Sequence, residues 1–375
     1  MFLFLLCYLA IYGGAHAWLL LRVVRCFGLS QPVPAALAAL GVFMVSAPIL
    51  VRLLERQHLE VPAKVVGYLG YLWMGFFFLF LSASIGLDVL RLLLAGMGWL
   101  TGRDLAPSEP QLLGVAMVLA LASSLYGYFE ARRIRVERVT LVSVKLPAGV
   151  RLRIAQVSDV HLGLMVGKER LAQILALVRA EKPDLLVSTG DLVDGQRDGL
   201  QDRDRELTAL RPGLGKFAVL GNHEVIAGLA PSVAFTEQAG FRLLRGEWLP
   251  VGDHLVVAGV DDPALPGGAD KGAEERLLGA IPTGRFVLLL KHRPKVATAS
   301  RGRFDLQLSG HVHKGQIFPF NLITHFVYPA PLGLSEAGSG SHLYVSRGTG
   351  TWGPPIRVFA PPEITVFDIV PSQKT

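Results

Sequence analysis

The sequence predicts a two-part chain, an N-terminal bundle of about four transmembrane helices followed by a mixed α/β domain. Three observations carry that prediction. The first third holds four long apolar stretches free of Asp, Glu, Lys and Arg; beyond residue 150 the texture changes to short β-rich runs punctuated by Gly, Pro and Asp; and acidic, histidine and amide side chains recur just after those runs. The 375 residues are 51% hydrophobic and 18% charged, with a mean hydropathy of +0.43. That balance excludes a disordered, collagenous or wholly soluble protein, and two cysteines exclude a disulfide framework. Cys7 and Cys26 lie in or beside apolar sequence and read as buried thiols without chemistry.

The apolar stretches run from Phe2 to Leu21, Ala35 to Val51, Val65 to Leu87 and Gln111 to Phe129. About 20 helical residues at roughly 1.5 Å each cross the roughly 30 Å of bilayer hydrocarbon, whereas a buried helix of a soluble domain shows a shorter run. Pro48, near the end of the shortest stretch, is tolerable where neighbouring helices satisfy the freed backbone. Ala15-His16-Ala17 looks like a signal cleavage site, but no basic segment precedes the apolar run and more spans follow, so the first stretch reads as a retained helix. Asp88, just past the third stretch, reads as a helix-end carboxylate reaching for water.

The net charge of +7 is local rather than general. Residues 1–130 are close to neutral, and 131–150 read as a basic linker with Arg132, Arg133, Arg135, Arg138 and Lys145 against Glu137 alone. Such a strip after an apolar segment fits an anionic membrane face better than a nucleic-acid groove, so membrane lipids are expected partners and stable nucleic-acid binding is not. The second connection (Arg52, Arg56, Lys64) and the flank after the fourth stretch are richer in basic residues than the first and third connections (Arg22, Arg25, Arg91, Arg103). The positive-inside rule then puts both termini, and the α/β domain, in the cytoplasm of a multi-pass inner-membrane protein.

In the domain, residues 151–375, the runs Leu152 to Val157, Leu185 to Ser188, Phe217 to Leu220, Leu255 to Val260, Phe286 to Leu290, Leu306 to Ser309, Leu343 to Ser346 and Ile364 to Ile369 read as strands. Between the first two, Lys168 to Ala180 has Leu171, Ile174, Leu175 and Val178 at helical spacing and should pack on the sheet. Gln196 to Glu206 reads as a solvated charged run and Pro263 to Glu275 as a Gly-rich surface loop.

Five places just after strands carry the chemistry: Ser158-Asp159-Val160-His161, Gly190-Asp191-Leu192-Val193-Asp194-Gly195, Gly221-Asn222-His223-Glu224, Lys291-His292-Arg293-Pro294 and Gly310-His311-Val312-His313. Ligand sites in α/β sheets gather beyond strand ends, and residues two apart in extended chain point to one side, as two ligands of one centre require. Gly190, Gly221 and Gly310 precede ligand-type residues where a missing Cβ permits a tight turn and close packing. The oxygen and imidazole set, lacking thiolate, suits Mn, Fe, Zn, Co or Ni. It is too large for one metal, and two metals a few ångströms apart are a known solution for phosphoester displacement. A lone Asp-x-His is a weak signal; five such places in order are not.

In this pattern the sequence resembles the calcineurin-like metallophosphoesterases, with Asp-x-His, Gly-Asp-x-x-Asp, Gly-Asn-His-Asp/Glu, a distant His and Gly-His-x-His all present between about 150 and 370. It is most similar to the membrane-attached bacterial branch in Gly310 to Gln316, Ser346 to Thr351 and Pro355-Ile356-Arg357, departing at Lys314, where that branch usually has glycine. The resemblance implies two packed mixed β-sheets flanked by helices, with metals at one edge. It further implies one metal on Asp159, His161, Asp191 and His313 and another on Asp191, Asn222, His292 and His311, with Asp191 bridging and a hydroxide between the metals attacking phosphorus in line. His223 would contact the phosphate and protonate the leaving oxygen, with Asp194 orienting it. Arg293 reads either as a contact for an anionic substrate or as a solvated arginine, and His254, His325 and His342 have no place in the pattern.

The expected function is a membrane-embedded, dinuclear-metal phosphoesterase acting on phosphodiester or pyrophosphate bonds, with an amphiphilic or nucleotide-linked lipid as substrate. A membrane-anchored phosphodiesterase of soluble nucleotides is the rival enzyme. From another class, the spans would be a sensor or transport module with a non-catalytic esterase domain, but no ligand is missing and the spans carry no charges along their length. No protein partner is identifiable.

Overall fold

The computed structural model describes residues 2–194, 203–268, 270 and 272–372. The chain divides into a helical unit, Met1–Phe129 with Gly353–Ile356, and an α/β unit, Glu130–Trp352 with Arg357–Thr375.

The helical unit contains α1 (Phe2–Tyr8), which runs through a π-helical turn, Leu9–Gly13, into α2 (Gly14–Phe27), then α3 (Val33–Arg56), α4 (Glu60–Thr101) and α5 (Glu109–Arg132). Four of its helical segments are long and apolar enough to cross a membrane. Each expected apolar stretch lies within a longer helix, because helical hydrogen bonding continues into the charged flanks after the apolar run stops. α4 has 42 residues, a length of about 63 Å. Small residues bring α3 and α4 together: a Cβ on Gly70 would lie 2.4 Å from that of Ala47. Asp88 differs from the expectation of a carboxylate reaching for water. Its oxygens accept hydrogen bonds from Arg22 at 2.7 and 2.6 Å, and Arg22 also donates to Glu109 at 2.9 Å, tying α2, α4 and α5. Cys7 is exposed and Cys26 half-buried, not buried as expected.

The α/β unit is built from β1 (Arg135–Ser143), β2 (Leu152–Val157), α6 (Lys168–Glu181), β3 (Leu185–Thr189), α7 (Arg203–Thr208), β4 (Lys216–Val219), α8 (Asn222–Ala227), α9 (Leu229–Gln238), β5 (Arg242–Leu243), β6 (Glu247–Val251), β7 (Leu255–Gly259), α10 (Ala273–Gly279), β8 (Phe286–Leu290), β9 (Leu306–Ser309), α11 (Phe320–Val327), β10 (Gly333–Gly338), β11 (Ser341–Val345) and β12 (Glu363–Pro371). The strands form two mixed six-stranded sheets, ordered β1-β12-β2-β3-β4-β5 and β10-β11-β9-β8-β7-β6. Alternation along β8 shows how the layers fill: Phe286, Leu288 and Leu290 enter the core between the sheets with Ile154, Val187 and Val257, while Val287 and Leu289 face outward onto Leu278 of α10. On the other side, Leu171, Ile174, Leu175 and Val178 of α6 cover Ala155, Val157 and Leu186.

The eight expected strands are all present, to within a few residues at their ends. The stretch 131–150 is not a linker throughout. Residues 135–143 form β1, an edge strand paired parallel with β12 from Arg135 opposite Glu363 onward, with Arg135 and Arg138 both exposed. Of the expected charged run, Gln196 onward to 202, like Gly195, lies outside the described residues, and 203–208 is α7. The loop from Pro263 contains residues 269 and 271, also outside the description, and ends in α10.

Candidate metal centre

The parallel order β2-β3-β4 in one sheet and β7-β8-β9 in the other brings five strand-end loops to one place. All nine residues singled out by sequence meet there. Asp159, His161 and His313 offer ligand atoms within one small volume, and so do Asp191, His292 and His311. His161 Nε2 lies 3.0 Å from His313 Nε2, which is 3.4 Å from Asp159 Oδ1. His292 Nε2 lies 3.2 Å from Asn222 Oδ1, 3.1 Å from His311 Nδ1 and 3.3 Å from Asp191 Oδ2. The same Asp191 oxygen is 3.9 Å from His161 Nε2, so this carboxylate stands between the two groups. A third group joins His161, Asp194 and His223, with His223 Nδ1 2.7 Å from Asp194 Oδ1.

Local backbone geometry is set for convergence. Asp159, His161, Asp191, His311 and His313 have φ of +52°, +54°, +52°, +72° and +47°, left-handed values that side chains rarely adopt and that persist where surrounding structure enforces them. The glycines before them are needed for close approach. A Cβ on Gly310 would lie 2.1 Å from Asp159 Oδ2, and one on Gly221 would lie 2.2 Å from Asp191 Oδ1. Lys314 itself has φ +53°, the conformation for which the glycine of the resembled branch is suited.

The electrostatics favour bare lone pairs aimed inward. Burial pulls the His161 imidazole down to about 4 and that of His311 to about 3, and burial beside His161 holds His313 well below its ordinary value. These rings are neutral at pH 7, the state a metal requires. Burial also opposes charge on His292, but Asp191 outweighs it and raises the ring to about 10, while burial of Asp191 is outweighed by His292, His223 and His161, which hold its carboxyl well below its usual range. The proton on His292 thus occupies a place that a cation would take. Burial raises Asp159 to about 6. Two imidazole nitrogens facing each other at 3.0 Å beside a carboxylate, with no thiolate nearby, fit a divalent cation.

Around this inner set the structure adds residues to which the sequence reading gave no role. Glu224, fully buried, accepts hydrogen bonds from the backbone N–H groups of Asp191, Leu192, Val193 and Gly221 at 3.1, 2.6, 3.2 and 2.7 Å, fixing the loop that carries Asp191. His292 Nδ1 is held by Thr189 O at 2.9 Å, and the Tyr328 hydroxyl lies 2.9 Å from His311 Nε2. Such outer partners fix ring orientation. Arg357, fully buried and donating to the carbonyls of Gly350, Arg347 and Ala360, places Nη2 3.1 Å from His313 Nδ1. The half-exposed Trp352 meets His223 edge to face at 5.7 Å. Glu224 had a signal in the sequence, a carboxylate three residues after a helix-capping glycine, and Arg357 lies in the stretch Pro355-Ile356-Arg357 that carries part of the resemblance.

Arg293 is neither a solvated arginine nor a free anion contact: it donates to buried Asp262 at 2.7 and 3.0 Å. Among the described residues, His254, His325 and His342 belong to none of the ligand groups.

A family model for calcineurin-like phosphoesterases matches residues 152–315. An uncharacterized metallophosphoesterase of Aquifex aeolicus is 39% identical over 259 residues, covering 68% of this chain and 98% of that protein. One from Campylobacter jejuni is 33% identical over 63% of this chain and 64% of its own length. A transmembrane protein with metallophosphoesterase domain from Danio rerio is 31% identical over 67% of this chain and 61% of its own length.

Proposed function

The chain belongs to the calcineurin-like phosphoesterases, hydrolases of phosphoric ester bonds, and from that premise we propose a dinuclear-metal enzyme embedded in the inner membrane, with its catalytic unit in the cytoplasm. The observation that carries the dinuclear reading is the place of Asp191, one of whose oxygens faces both His161 and His292. Asp159, His161, Asp191 and His313 would hold one divalent cation, and Asp191, Asn222, His292 and His311 the other. When bound, the two cations supply an activated water and offset the charge on the phosphoryl oxygens.

The chain's own part is to position and to move one proton. His223 N–H donates to Asp191 Oδ1 at 2.8 Å, which pins the start of α8 beside the ligands. Burial opposes charge on the His223 ring, but its hydrogen bond to Asp194 and the carboxylates of Asp191, Asp194 and Glu224 outweigh it and raise the ring to about 9. The imidazolium is thereby favoured, with Nδ1 committed to Asp194 and Nε2 left to give its proton to the leaving oxygen. The substrate in this reading is a phosphodiester or pyrophosphate on an amphiphile; the four apolar helices support it, since they keep the enzyme in the phase where such a substrate resides.

Metal content and hydrolysis of an activated, water-soluble phosphodiester by detergent-solubilised protein test the proposal. Wild type is expected to hold two cations per chain, Asp191→Asn to lose metal and activity, and His223→Ala to keep metal but lose turnover. A folded, metal-free and inactive wild type would overturn it.

A further inference from the structure

α11 is turned inside out. Leu322, Ile323, Phe326 and Val327 fall on one arc of this helix, Asn321, Thr324 and His325 on the opposite one. In a helix of a soluble domain the apolar arc faces the core, yet here Leu322, Ile323 and Val327 are more than half exposed and Phe326 is 86% exposed. Asn321 and Thr324 on the other arc are half-buried, and the backbone of Asn321 packs so closely on Gly315 that a Cβ there would lie 2.3 Å from Asn321 N. Phe318, just before the helix, is exposed as well. Contiguous patches of this kind mark an interaction surface.

The charges around the patch select the occupant. From His311 to Ser335 the sequence contains no Asp or Glu, whereas Lys314 precedes the helix. Lys295 lies over the ring of Tyr328, 5.2 Å from its centre. An exposed apolar arc with Lys314 and Lys295 near its two ends is the make-up of a helix lying in the interface of an anionic bilayer, its apolar face about 5–10 Å deep. The position of α11 gives this contact a purpose. The chain enters it seven residues after His313 and leaves it at Tyr328, whose hydroxyl meets His311, so the patch borders the metal centre.

We propose that the apolar face of α11 inserts into the headgroup region of an anionic lipid bilayer and presents the metal centre to phosphoesters carried by membrane amphiphiles. This rests on the phosphoesterase reading for its substrate, but the docking itself does not require turnover.

The test uses the full chain in nanodiscs containing anionic lipid, with Cys7 and Cys26 replaced by serine and an environment-sensitive fluorophore on Phe326→Cys. The same label on Asp253→Cys, in an exposed hairpin turn, gives the aqueous reference. Brominated lipids are expected to quench the label at 326 and leave the one at 253 bright. An unquenched 326 label, whether solvated or shielded by protein, overturns the docking. In a second arm, Leu322→Glu/Phe326→Glu is expected to lower kcat/KM for a bilayer-embedded phosphodiester about tenfold or more while leaving bis-p-nitrophenyl phosphate hydrolysis unchanged. Equal turnover of the embedded ester by variant and wild type overturns the substrate half of the proposal. Failure of wild type on both esters counts against the enzyme reading alone, because quenching is read without turnover.

Discussion

Gly221→Ala is the sharpest probe of how the metal centre is built. The new Cβ would lie 2.2 Å from Asp191 Oδ1 and 2.8 Å from His292 Cε1 and Nε2. Ordinary contact needs well over 3 Å, so Asp191 or the α8 turn must retreat by about 1 Å. Metal–ligand distances tolerate about 0.2 Å, and a misplacement of about 1 Å costs roughly a hundredfold in rate. Overpacking adds a stability loss of about 1–3 kcal/mol, a fall in Tm of about 2–12 °C for a unit of this size. The expected result is a folded protein with reduced metal content and kcat/KM lowered about a hundredfold. The assays are elemental analysis after desalting, turnover of a soluble diester, and thermal unfolding in detergent. Gly213→Ala, at a position open to solvent, serves as the control and should change nothing. A Gly221→Ala protein with its full metal complement and wild-type kcat/KM would refute the reasoning.

Asp194→Asn removes the carboxylate that sustains the His223 imidazolium. Its acid form disappears as pH rises through about 9 in the wild type, so the alkaline limb of kcat/KM for an unactivated diester should move to lower pH in the variant; an unmoved limb would count against the assignment. Glu224→Gln puts an NH2 group where one oxygen accepts two backbone N–H bonds, orphaning two buried donors at about 1–3 kcal/mol each. Thermal unfolding should show a lower Tm together with weaker metal retention, and an unchanged Tm would show that these bonds are dispensable. Chelation of the metals should abolish hydrolysis and lower Tm by about 10 °C, since a ligand at a thousandfold its Kd stabilises by about 4 kcal/mol; re-addition of Mn should reverse both. Turnover that survives exhaustive chelation would sink the metal reading.

The strands that sequence reasoning reached and those it missed divide by position in the sheets. The four missed, β1, β5, β6 and β10, are the four edges. A central strand such as β8 is buried on both faces and reads as an unbroken apolar run. An edge strand is half-solvated: β1 interleaves Arg135, Glu137 and Arg138 with Val136, Val139 and Leu141, and so passes for a basic linker. β6 contains Pro250 and β10 is rich in Gly and Ser, both poor strand signals. The site divides in the same way. The nine inner residues are legible because side-chain chemistry and spacing mark them, whereas Tyr328 and Arg357 act only through what the fold brings beside them. Asp88 was misread because its partner Arg22 lies 66 positions away.

α4 has a consequence for depth. At about 63 Å the helix is about twice as long as bilayer hydrocarbon is thick, and to lie wholly within it would need a tilt of about 60°, outside the roughly 0–40° that spans adopt. Hydrophobic length therefore cannot set its vertical register. Polar marks can: Lys64 to Asp88 covers about 36 Å of helix, one bilayer core with a margin, and Asp88 is locked through Arg22 to Glu109 at the start of α5. Beyond that mark α4 continues to Thr101, with Leu92, Leu93 and Trp99 exposed. The three charges that join α2, α4 and α5 thus give the bundle a polar level of its own, one that the apolar length of α4 does not define.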